Sequence, residues 1–531
     1  MPIFNSLGIN IVNDTFMNLE KPKLIKILSW IIGSIIGLVL LTNVIFFYLL
    51  HSKIPQSLAK NDLDYNIAYA DLSVSFFSNE IVLKDLVIHP IDTSGKEKTG
   101  IYATINQVKL YDVSLLNIIR TDQIKVGGFD IESPNIRMYP LKKDSIKIKK
   151  QFDKIVKLEV FNMNKGNLKI YKPYAQYPFF TVNNFNFKLN DIGVTPEGLT
   201  NKIPFTFSDY HITADAFTFV MNRFYTITTG KFETDFTTLK LNDVHLQPNF
   251  SEKQFLERVT HQVDIYKVAV REIKLDSVKW GYNKQRELYV DISSVNLDQI
   301  NAHISRDKGL PPDLQFKPLY SQMLRNIPFY LAIKHIGIQN SSIIYKEEQD
   351  ARPLYGAVSF NNFNATIANL VSGYKQTQLP DVLINVNCKF YNVANLHVNW
   401  NFNVLNRNDD FNIQGVLQNL PADRVDKFIQ PSFNVTTQGN FKELKFNYTG
   451  NNDLAKGDFA IDYSELHVTF LKKDGHKNKF LSFVGNLLVK KNTDDHFKRT
   501  HVKYERNKDK SFFNLVWKTT AQGLEHTLLI I

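Results

Sequence analysis

Apolar and polar residues alternate along much of the chain after residue 60. In the strictest stretch, Leu396–Val404, Leu, Val, Trp and Phe take every second position, and His or Asn the positions between. Phe185–Leu189 and Phe459–Tyr463 alternate in the same way. A period of two predicts β-strands with one apolar and one wet face. Clusters of Asn, Asp and Gly separate these stretches, which is typical of a meander of antiparallel strands.

Helical periodicity is scarce by comparison. Short helices are predicted at 251–260, 315–326 and 422–429, and a longer, amphipathic helix at 511–530. The apolar residues that broadly favour one face of this last helix include Phe512, Phe513, Val516, Trp517 and Leu524. Such a helix either caps the sheet or touches a membrane, and the pattern favours neither.

The strand pattern also repeats along the chain. Leu83–Pro90, LKDLVIHP, matches Leu241–Pro248, LNDVHLQP. A longer unit consists of an apolar strand, a turn with Asn, Asp or Ser, a second strand ending in an aromatic residue, a variable loop and a third strand. Its copies cover residues 158–192, 270–300 and 333–370. Repeated hairpin units predict an elongated sheet that grows by addition, each unit burying its apolar face with its neighbours.

One segment near the N-terminus differs from the rest, because Ile27–Leu50 carries no charged side chain. As a helix rising about 1.5 Å per residue, it is long enough to cross a hydrocarbon core about 30 Å thick. Lysines crowd its N-terminal side, which favours a cytoplasmic N-terminus and an exported body. The alternative is a cleaved signal peptide, but no small-residue cleavage site follows the run. The anchor residues singled out are Ile27, Trp30, Leu38, Phe46 and Leu50.

A long sheet with one apolar face must cover that face. It can close into a barrel, pack as a sandwich, or curl into a trough that holds another apolar molecule. The few predicted helices favour the trough. We therefore expect a mainly β fold, in which an N-terminal transmembrane helix precedes an elongated, curled antiparallel sheet with a few short helices. The predicted groove-lining residues are Phe185, Phe187, Leu189, Leu396, Val398, Trp400 and Phe402.

Composition agrees with a β-rich protein. The 531 residues include 40 Phe, and aromatic residues make up 13%. The net charge of +11 is spread along the chain, and its densest run, between Lys142 and Lys150, lies in no nucleic-acid recognition motif. A solvated face or a membrane-surface contact is favoured over nucleic acid. Because Cys388 is the single cysteine, no intramolecular disulfide forms and the fold depends on core burial.

Several stretches together resemble a known family. They are VSFFSNEIVLKDLVI at Val74–Ile88, then Gly439–Tyr448, Ala455–Gly457 and Asp462–Val468, and the tail runs Phe483–Val489 and Ser511–Lys518. They are similar to AsmA-like proteins of Gram-negative envelopes, whose C-terminal region has a G-x-L-x-x-L strand followed by A-x-G and Y-x-x-L-x-V. The resemblance covers most of the chain through degenerate strand patterns.

The resemblance implies an inner-membrane anchor, a periplasmic body and a β-groove of the bridge-like lipid-transfer type. It implies movement of phospholipid between the inner and outer membranes, or control of outer-membrane lipid balance, without catalytic residues or a cofactor. The chain contains no G-x-S-x-G, phosphate-binding loop or metal-ligand spacing. We therefore expect a protein that is not an enzyme. Its expected partners are membrane lipids, phospholipid first, and envelope proteins, and not nucleic acid.

The expected organisation has six parts. They are a cytoplasmic segment 1–26, a transmembrane anchor 27–50, a first β region 51–150, repeated hairpins 151–380, a C-terminal β region 381–510 and an amphipathic helix 511–531. Two functions stay open: an apolar groove that shelters and passes acyl chains, and a non-catalytic scaffold whose sheet edges pair with envelope proteins. A third class, a carbohydrate-directed enzyme or a lectin, is disfavoured because the chain lacks a paired-carboxylate motif.

Overall fold

The computed structural model describes residues 65–75, 79–91, 98–113, 123–140, 155–198, 201, 203–348, 355–433, 435–471, 492–493 and 496–528. The chain divides into two compact units. Of the described residues, 65–243 belong to the N-terminal unit and 244–528 to the C-terminal unit. The predicted anchor Ile27–Leu50, the basic run 142–150 and the apolar run Phe483–Val489 lie outside the described residues. Among the helices that are described, none is long and apolar enough to span a membrane.

The protein is mainly β, as predicted. The strands of the N-terminal unit are β1 Tyr65–Ala68, β2 Asp71–Ser75, β3 Glu80–Pro90, β4 Gly100–Val113, β5 Gln123–Glu132, β6 Asn135–Tyr139, β7 Ile155–Ile170, β8 Phe180–Val194, β9 Asp209–Ala214, β10 Ala216–Val220, β11 Tyr225–Thr229, β12 Phe232–Asp235 and β13 Thr238–Pro248, whose last residues belong to the C-terminal unit.

Strands also dominate the C-terminal unit. Its strands are β14 Asp264–Tyr282, β15 Leu288–Asp307, β16 Tyr330–Glu348, β17 Tyr355–Val371, β18 Val382–Phe390, β19 Ala394–Phe402, β20 Phe411–Pro421, β21 Val435–Gly450, β22 Leu454–Phe470 and β23 Lys498–Glu505. Its helices are α1 Glu252–Leu256, α2 Tyr320–Arg325, α3 Asp426–Phe433 and α4 Phe512–Leu528, and a 3-10 turn Ala422–Val425 precedes α3. Each of the four predicted helices is confirmed in position, although α1 and α2 are shorter than predicted.

The strand order in each unit follows the chain. In the N-terminal unit, β1 and β2 pair with β3, and β3 pairs with β4. β5 and β6 share the next position between β4 and β7. β8 then pairs with β7 on one side and with β9 and β10 on the other. In the C-terminal unit, each strand from β14 to β23 pairs with the next.

Most neighbouring strands are antiparallel, as predicted, but two positions are parallel. β5 and β6 run parallel to β7, and β15 runs parallel to β16. The prediction of a purely antiparallel sheet is wrong at these places. A parallel pair needs a crossover of a dozen or more residues, and the second crossover carries α2. Alternation within a strand gives no sign of the direction of its neighbour, so the pattern could not show this.

Left-handed residues interrupt several strands at similar places, although β4 has none opposite Asp85. In the N-terminal unit they form a bend row of Asp85, Ser133, Lys165, Asn184 and Asp243, with φ between 46° and 54°. Register shifts flank Gly166 in the pairing of β7 with β8. An extra residue in one strand of a pair bends that strand and increases its twist without ending the ladder.

Asparagine side chains satisfy the backbone at these bends. Asn186 Oδ1 accepts the backbone N–H of Lys165 at 3.0 Å, and Asn167 Oδ1 accepts that of Asn184 at 3.2 Å. In the C-terminal unit, Asn364 Oδ1 accepts the N–H of Asn340, whose φ is 51°, at 3.1 Å. Asn tolerates the left-handed region and bonds readily to nearby backbone. These bends give part of the high Asn content a structural origin.

The bend row also explains the sequence repeat. Leu83–Pro90 and Leu241–Pro248 lie in β3 and β13, and their shared Asp residues, Asp85 and Asp243, have φ of 52° and 50°. The longer repeat corresponds to the hairpins β7–β8, β14–β15 and β16–β17. The turn predicted inside each copy is wrong, because each of β7, β14 and β16 continues through it as one strand. A single left-handed residue bends the strand at that point.

Candidate functional site

The inner face of the N-terminal unit is defined here as the face that carries its buried apolar residues. Along β3, β4, β5 and β7, alternate side chains on this face are buried and form one cluster. Examples are Leu110 at 0% exposure, Ile131 at 0% and Phe161 at 3%. The first strands of the unit therefore have a dry apolar face.

Exposure on the same face rises towards the later strands. The register leads from Ile136 in the cluster through Leu168 and Val182 to Phe217. Every residue of β10 is half-buried, as are all but the last of β11. We call this region the half-open wall and define it by Phe180, Val182, Phe217, Phe219 and Phe232.

Aromatic rings line the half-open wall. Phe217 lies 6.1 Å from Phe180 and 6.2 Å from Phe232 between ring centroids, and Phe180 lies 6.4 Å from Phe219. Contacts at these distances are edge-on or tilted, as aromatic pairs prefer. The wall is thus a continuous apolar surface that is in partial contact with solvent.

The predicted lining residues of β8 lie beside this wall, on the inner face. Leu189 is buried at 3% exposure, while Phe185 and Phe187 are half-buried and pack on the same cluster. The Phe185 ring lies directly over Gly166 of β7, where an added Cβ would come within 2.4 Å of Cζ. Glycine is required there so that the ring can lie flat across the bend.

The predicted lining residues of β19 lie in a filled core. Leu396 and Val398 are half-buried and pack on the largest cluster of the C-terminal unit. Trp400 and Phe402 belong to that cluster, at 5% and 4% exposure. The Trp400 ring stacks on Phe512 of α4, with centroids 4.4 Å apart, and meets Tyr320 of α2 at 5.3 Å. Side chains of this unit therefore occupy the space in front of Trp400.

All five residues singled out on α4 pack on other elements of the C-terminal unit. Phe512 is 1% exposed, and Phe513 and Val516 pack on the same cluster. Trp517 meets Phe428 of α3 at 5.6 Å, and Leu524 packs on a second cluster that contains Phe459. The apolar face of α4 is thus engaged within the C-terminal unit.

A buried polar network fixes α2 in this core, and sequence reasoning missed it. Arg325 and Asp409 form an ion pair at 2.7 Å, with side-chain exposures of 21% and 6%. Ser321 Oγ donates to the same carboxylate at 2.8 Å, and Arg325 also donates to the carbonyls of Val404 and Asn406. Asp409 lies 84 residues from Arg325, so no local pattern connects them. Nearby, burial raises the pKa of Tyr320 well above its ordinary value.

A cavity of about 540 Å³, lined by polar and apolar side chains alike, lies at strand ends of the C-terminal unit. Its lining includes Asp381, Asp410, Asn412, Thr449 and Lys456. The turn asparagines around it are used locally, since Asn403 Nδ2 donates to Asp381 and Asn406 Nδ2 to Asp410. Across the part of the chain that the structure describes, no group of three or more His, Cys, Asp or Glu side chains could hold a metal ion.

Comparison of the sequence with models of known protein families and with curated proteins finds no match. The resemblance to AsmA-like proteins therefore stays a prediction. The class of protein that the fold defines is a mainly β protein of two units, one with a half-open apolar wall and one with a helix-filled core.

Proposed function

We propose that this protein is a membrane-anchored, non-catalytic handler of phospholipid, and that the half-open wall of the N-terminal unit shelters acyl chains. In this proposal, residues 27–50 anchor the chain in the inner membrane and the body lies in the periplasm, as the resemblance implies. The observation that carries the proposal is the half-open wall itself, an aromatic and aliphatic surface that continues a dry apolar face.

The physical argument rests on desolvation. An acyl chain leaving a membrane loses about 0.8 kcal/mol of stabilisation for each CH₂ that enters water. A wall of half-buried rings receives those groups and at the same time removes its own exposed apolar area from solvent. The lipid headgroup would stay in water, so the wall needs no charged residue among its members.

The helix-filled core is the less suitable place for an acyl chain. Phe512 and Tyr320 already fill the volume that faces Trp400. An acyl chain could enter this core only if α4 left the sheet. The lining role predicted for Trp400 and Phe402 stays a prediction, and a charged side chain at either position would test stability before it tested lipid binding.

The direct test is phospholipid that copurifies with the full-length protein after exchange into a lipid-free detergent. Mass spectrometry should find phospholipid bound to the unmodified protein. The change Phe217→Asp places a charge on the wall, and we expect it to lower the bound lipid about tenfold, since a buried unpaired charge costs more than about 1.4 kcal/mol.

The matched control is Thr218→Asp, which adds the same charge one position along β10, on the opposite face. It should leave the bound lipid unchanged. Circular dichroism and thermal melts establish that both variants are folded. Absence of phospholipid from the unmodified protein, or equal loss in both variants, would contradict the proposal.

The filled core favours a second candidate, the scaffold. If the C-terminal unit holds no lipid, its sheet is free to serve as a rigid surface. Among the described strands β23 pairs with β22 alone, and its other edge is where another chain could add a strand. Proline at Lys503, an exposed residue of β23, removes a backbone donor from that edge and should abolish capture of an envelope protein if the scaffold role holds. It should leave the lipid content unchanged if only the wall is functional.

A further inference from the structure

The strand register places several strand ends and the loops that follow them at the same end of the N-terminal unit. Tyr65 at the start of β1 is opposite Pro90 at the end of β3. Gly100 of β4 is opposite Tyr139 of β6, and Met138 of β6 is opposite Ile170 of β7. The same end continues through the β7–β8 loop, residues 171–179, to the β10–β11 turn, residues 221–224. We call this end the entry rim.

The described residues of the entry rim carry only positive charge. Segments 98–102, 135–140, 169–181 and 217–226 contain no Asp or Glu. Their basic residues, all exposed, are Lys98, Arg137, Lys169, Lys172 and Arg223. Elsewhere in the unit basic and acidic side chains mix, as in the Lys84–Asp71 and Lys109–Glu80 pairs. The excess of positive charge over these described segments favours an extended anionic partner.

The rim also presents aromatic side chains to solvent. Tyr174 and Tyr177, in the β7–β8 loop, are 82% and 81% exposed, the highest values among the large apolar and aromatic residues described. Behind them Tyr171 stacks on Tyr139 at 4.5 Å, and Tyr102 meets Tyr139 edge-on at 5.5 Å. Tyrosine has an apolar ring and a polar tip, and it is enriched where proteins meet the headgroup region of membranes.

Cations and rings are paired along the rim. Arg223 lies over Phe224 at 4.5 Å, Lys172 over Phe179 at 5.4 Å, and Lys98 over Tyr139 at 5.9 Å from the ring centroid. These pairs hold charges beside apolar rings at the ends of three different strand connections. The combination matches a bilayer surface, which offers anionic headgroups and the apolar boundary beneath them.

We propose that the entry rim docks on a bilayer surface that contains anionic phospholipid, with Tyr174 and Tyr177 inserted at the headgroup level. A soluble polyanion would satisfy the cations but not the two exposed rings. The chain position agrees with this occupant. β1 begins at the rim, and the 14 residues between Leu50 and Tyr65 span at most about 50 Å when fully extended. The inference rests on the anchor of the proposed function and goes beyond it, because docking does not require an acyl chain on the half-open wall.

The test uses the full-length protein with Tyr177→Cys, labelled with an environment-sensitive nitrobenzoxadiazole group and reconstituted into vesicles. Cys388 is buried and leaves position 177 as the labelled site in the folded protein. In vesicles with about one third phosphatidylglycerol, we expect a blue-shifted emission that doxyl-labelled lipids quench. In pure phosphatidylcholine vesicles the blue shift and quenching should be lost.

Two controls separate docking from general crowding by the membrane. A label at Phe236→Cys, on a turn at the opposite end of the same unit and 54% exposed in the unmodified protein, should not be quenched. Lys172→Glu with Arg223→Glu should reduce quenching at position 177 to the level of neutral vesicles. The same charge change at Lys188 and Lys231, exposed residues away from the rim, should leave it unchanged.

Equal quenching at positions 177 and 236 would overturn the proposal, and so would a label at 177 that stays water-exposed in anionic vesicles. A blue shift at 177 produced by heparin without vesicles would also overturn it in favour of a soluble polyanion. These outcomes are independent of the copurified phospholipid that tests the half-open wall.

Discussion

At the scale of single residues, the fold depends on side chains that accept a left-handed backbone. Asn340 illustrates the requirement. Its φ is 51°, its N–H donates to Asn364 Oδ1, and its Nδ2 donates to Asp298 Oδ1 at 3.0 Å. Asn362 and Gln299, in the flanking strands, have φ of 45° and 53°. At Asn340, the positive φ restricts the residue type more than burial does.

We expect Asn340→Val to destabilise the C-terminal unit by about 2 kcal/mol, because a β-branched residue is strained at positive φ and the bond to Asp298 is lost. Asn340→Gly loses the same bond without the strain and should cost about 1 kcal/mol less than Val. Urea unfolding followed by circular dichroism measures both. Equal costs for the two variants would show that backbone strain is not what selects Asn.

At the scale of elements, alternation and helical periodicity predicted where strands and helices form, but not which of them pack together. The strand containing Leu396–Phe402 and the helix at 512–528 both form where the pattern placed them. Their contact with each other could not be predicted, because Trp400 and Phe512 are far apart in sequence and each pattern describes only one face. The position of α2 was predicted, but the ion pair between its Arg325 and Asp409 leaves no local signal in the sequence.

The contact between α4 and the sheet gives a direct prediction. Phe512→Ala removes a ring that is 1% exposed and stacked on Trp400, and we expect a loss of about 3–5 kcal/mol in the free energy of unfolding. Lys518→Ala, on the exposed face of the same helix, should change it by less than about 0.5 kcal/mol. Chemical denaturation measures both, and a small cost for Phe512→Ala would mean that α4 leaves the sheet readily.

At the scale of the whole molecule, the mainly β and mostly antiparallel character followed from the sequence, while the division into units did not. The boundary between Asp243 and Val244 falls inside the region predicted as one run of repeated hairpins. Hairpins on both sides share one pattern of alternation and bends, so nothing in the sequence marks a change of unit. The half-open wall was likewise missed at β10, because strands with apolar faces look alike whether their faces are covered or open.

The single thiol reports on the integrity of the C-terminal unit. Cys388 lies in β18 at 7% exposure, and burial raises its pKa to about 12. At pH 8 we expect it to react with a thiol reagent only as fast as the unit opens, since the thiolate is the reactive form. A cysteine placed at Tyr177 should react at once under the same conditions. Rapid reaction of Cys388 in the unmodified protein would show that β18 opens locally.

The bend row also determines how a protein of this kind can change in length during evolution. A duplicated hairpin that carries its own left-handed residue at the matching position joins its neighbours without disturbing their curvature. An inserted hairpin that lacks this residue would have to follow the turn without it, as β4 does opposite Asp85. Growth and shortening should therefore proceed in whole hairpins, and a copy that carries its own left-handed bend residue joins the sheet most readily.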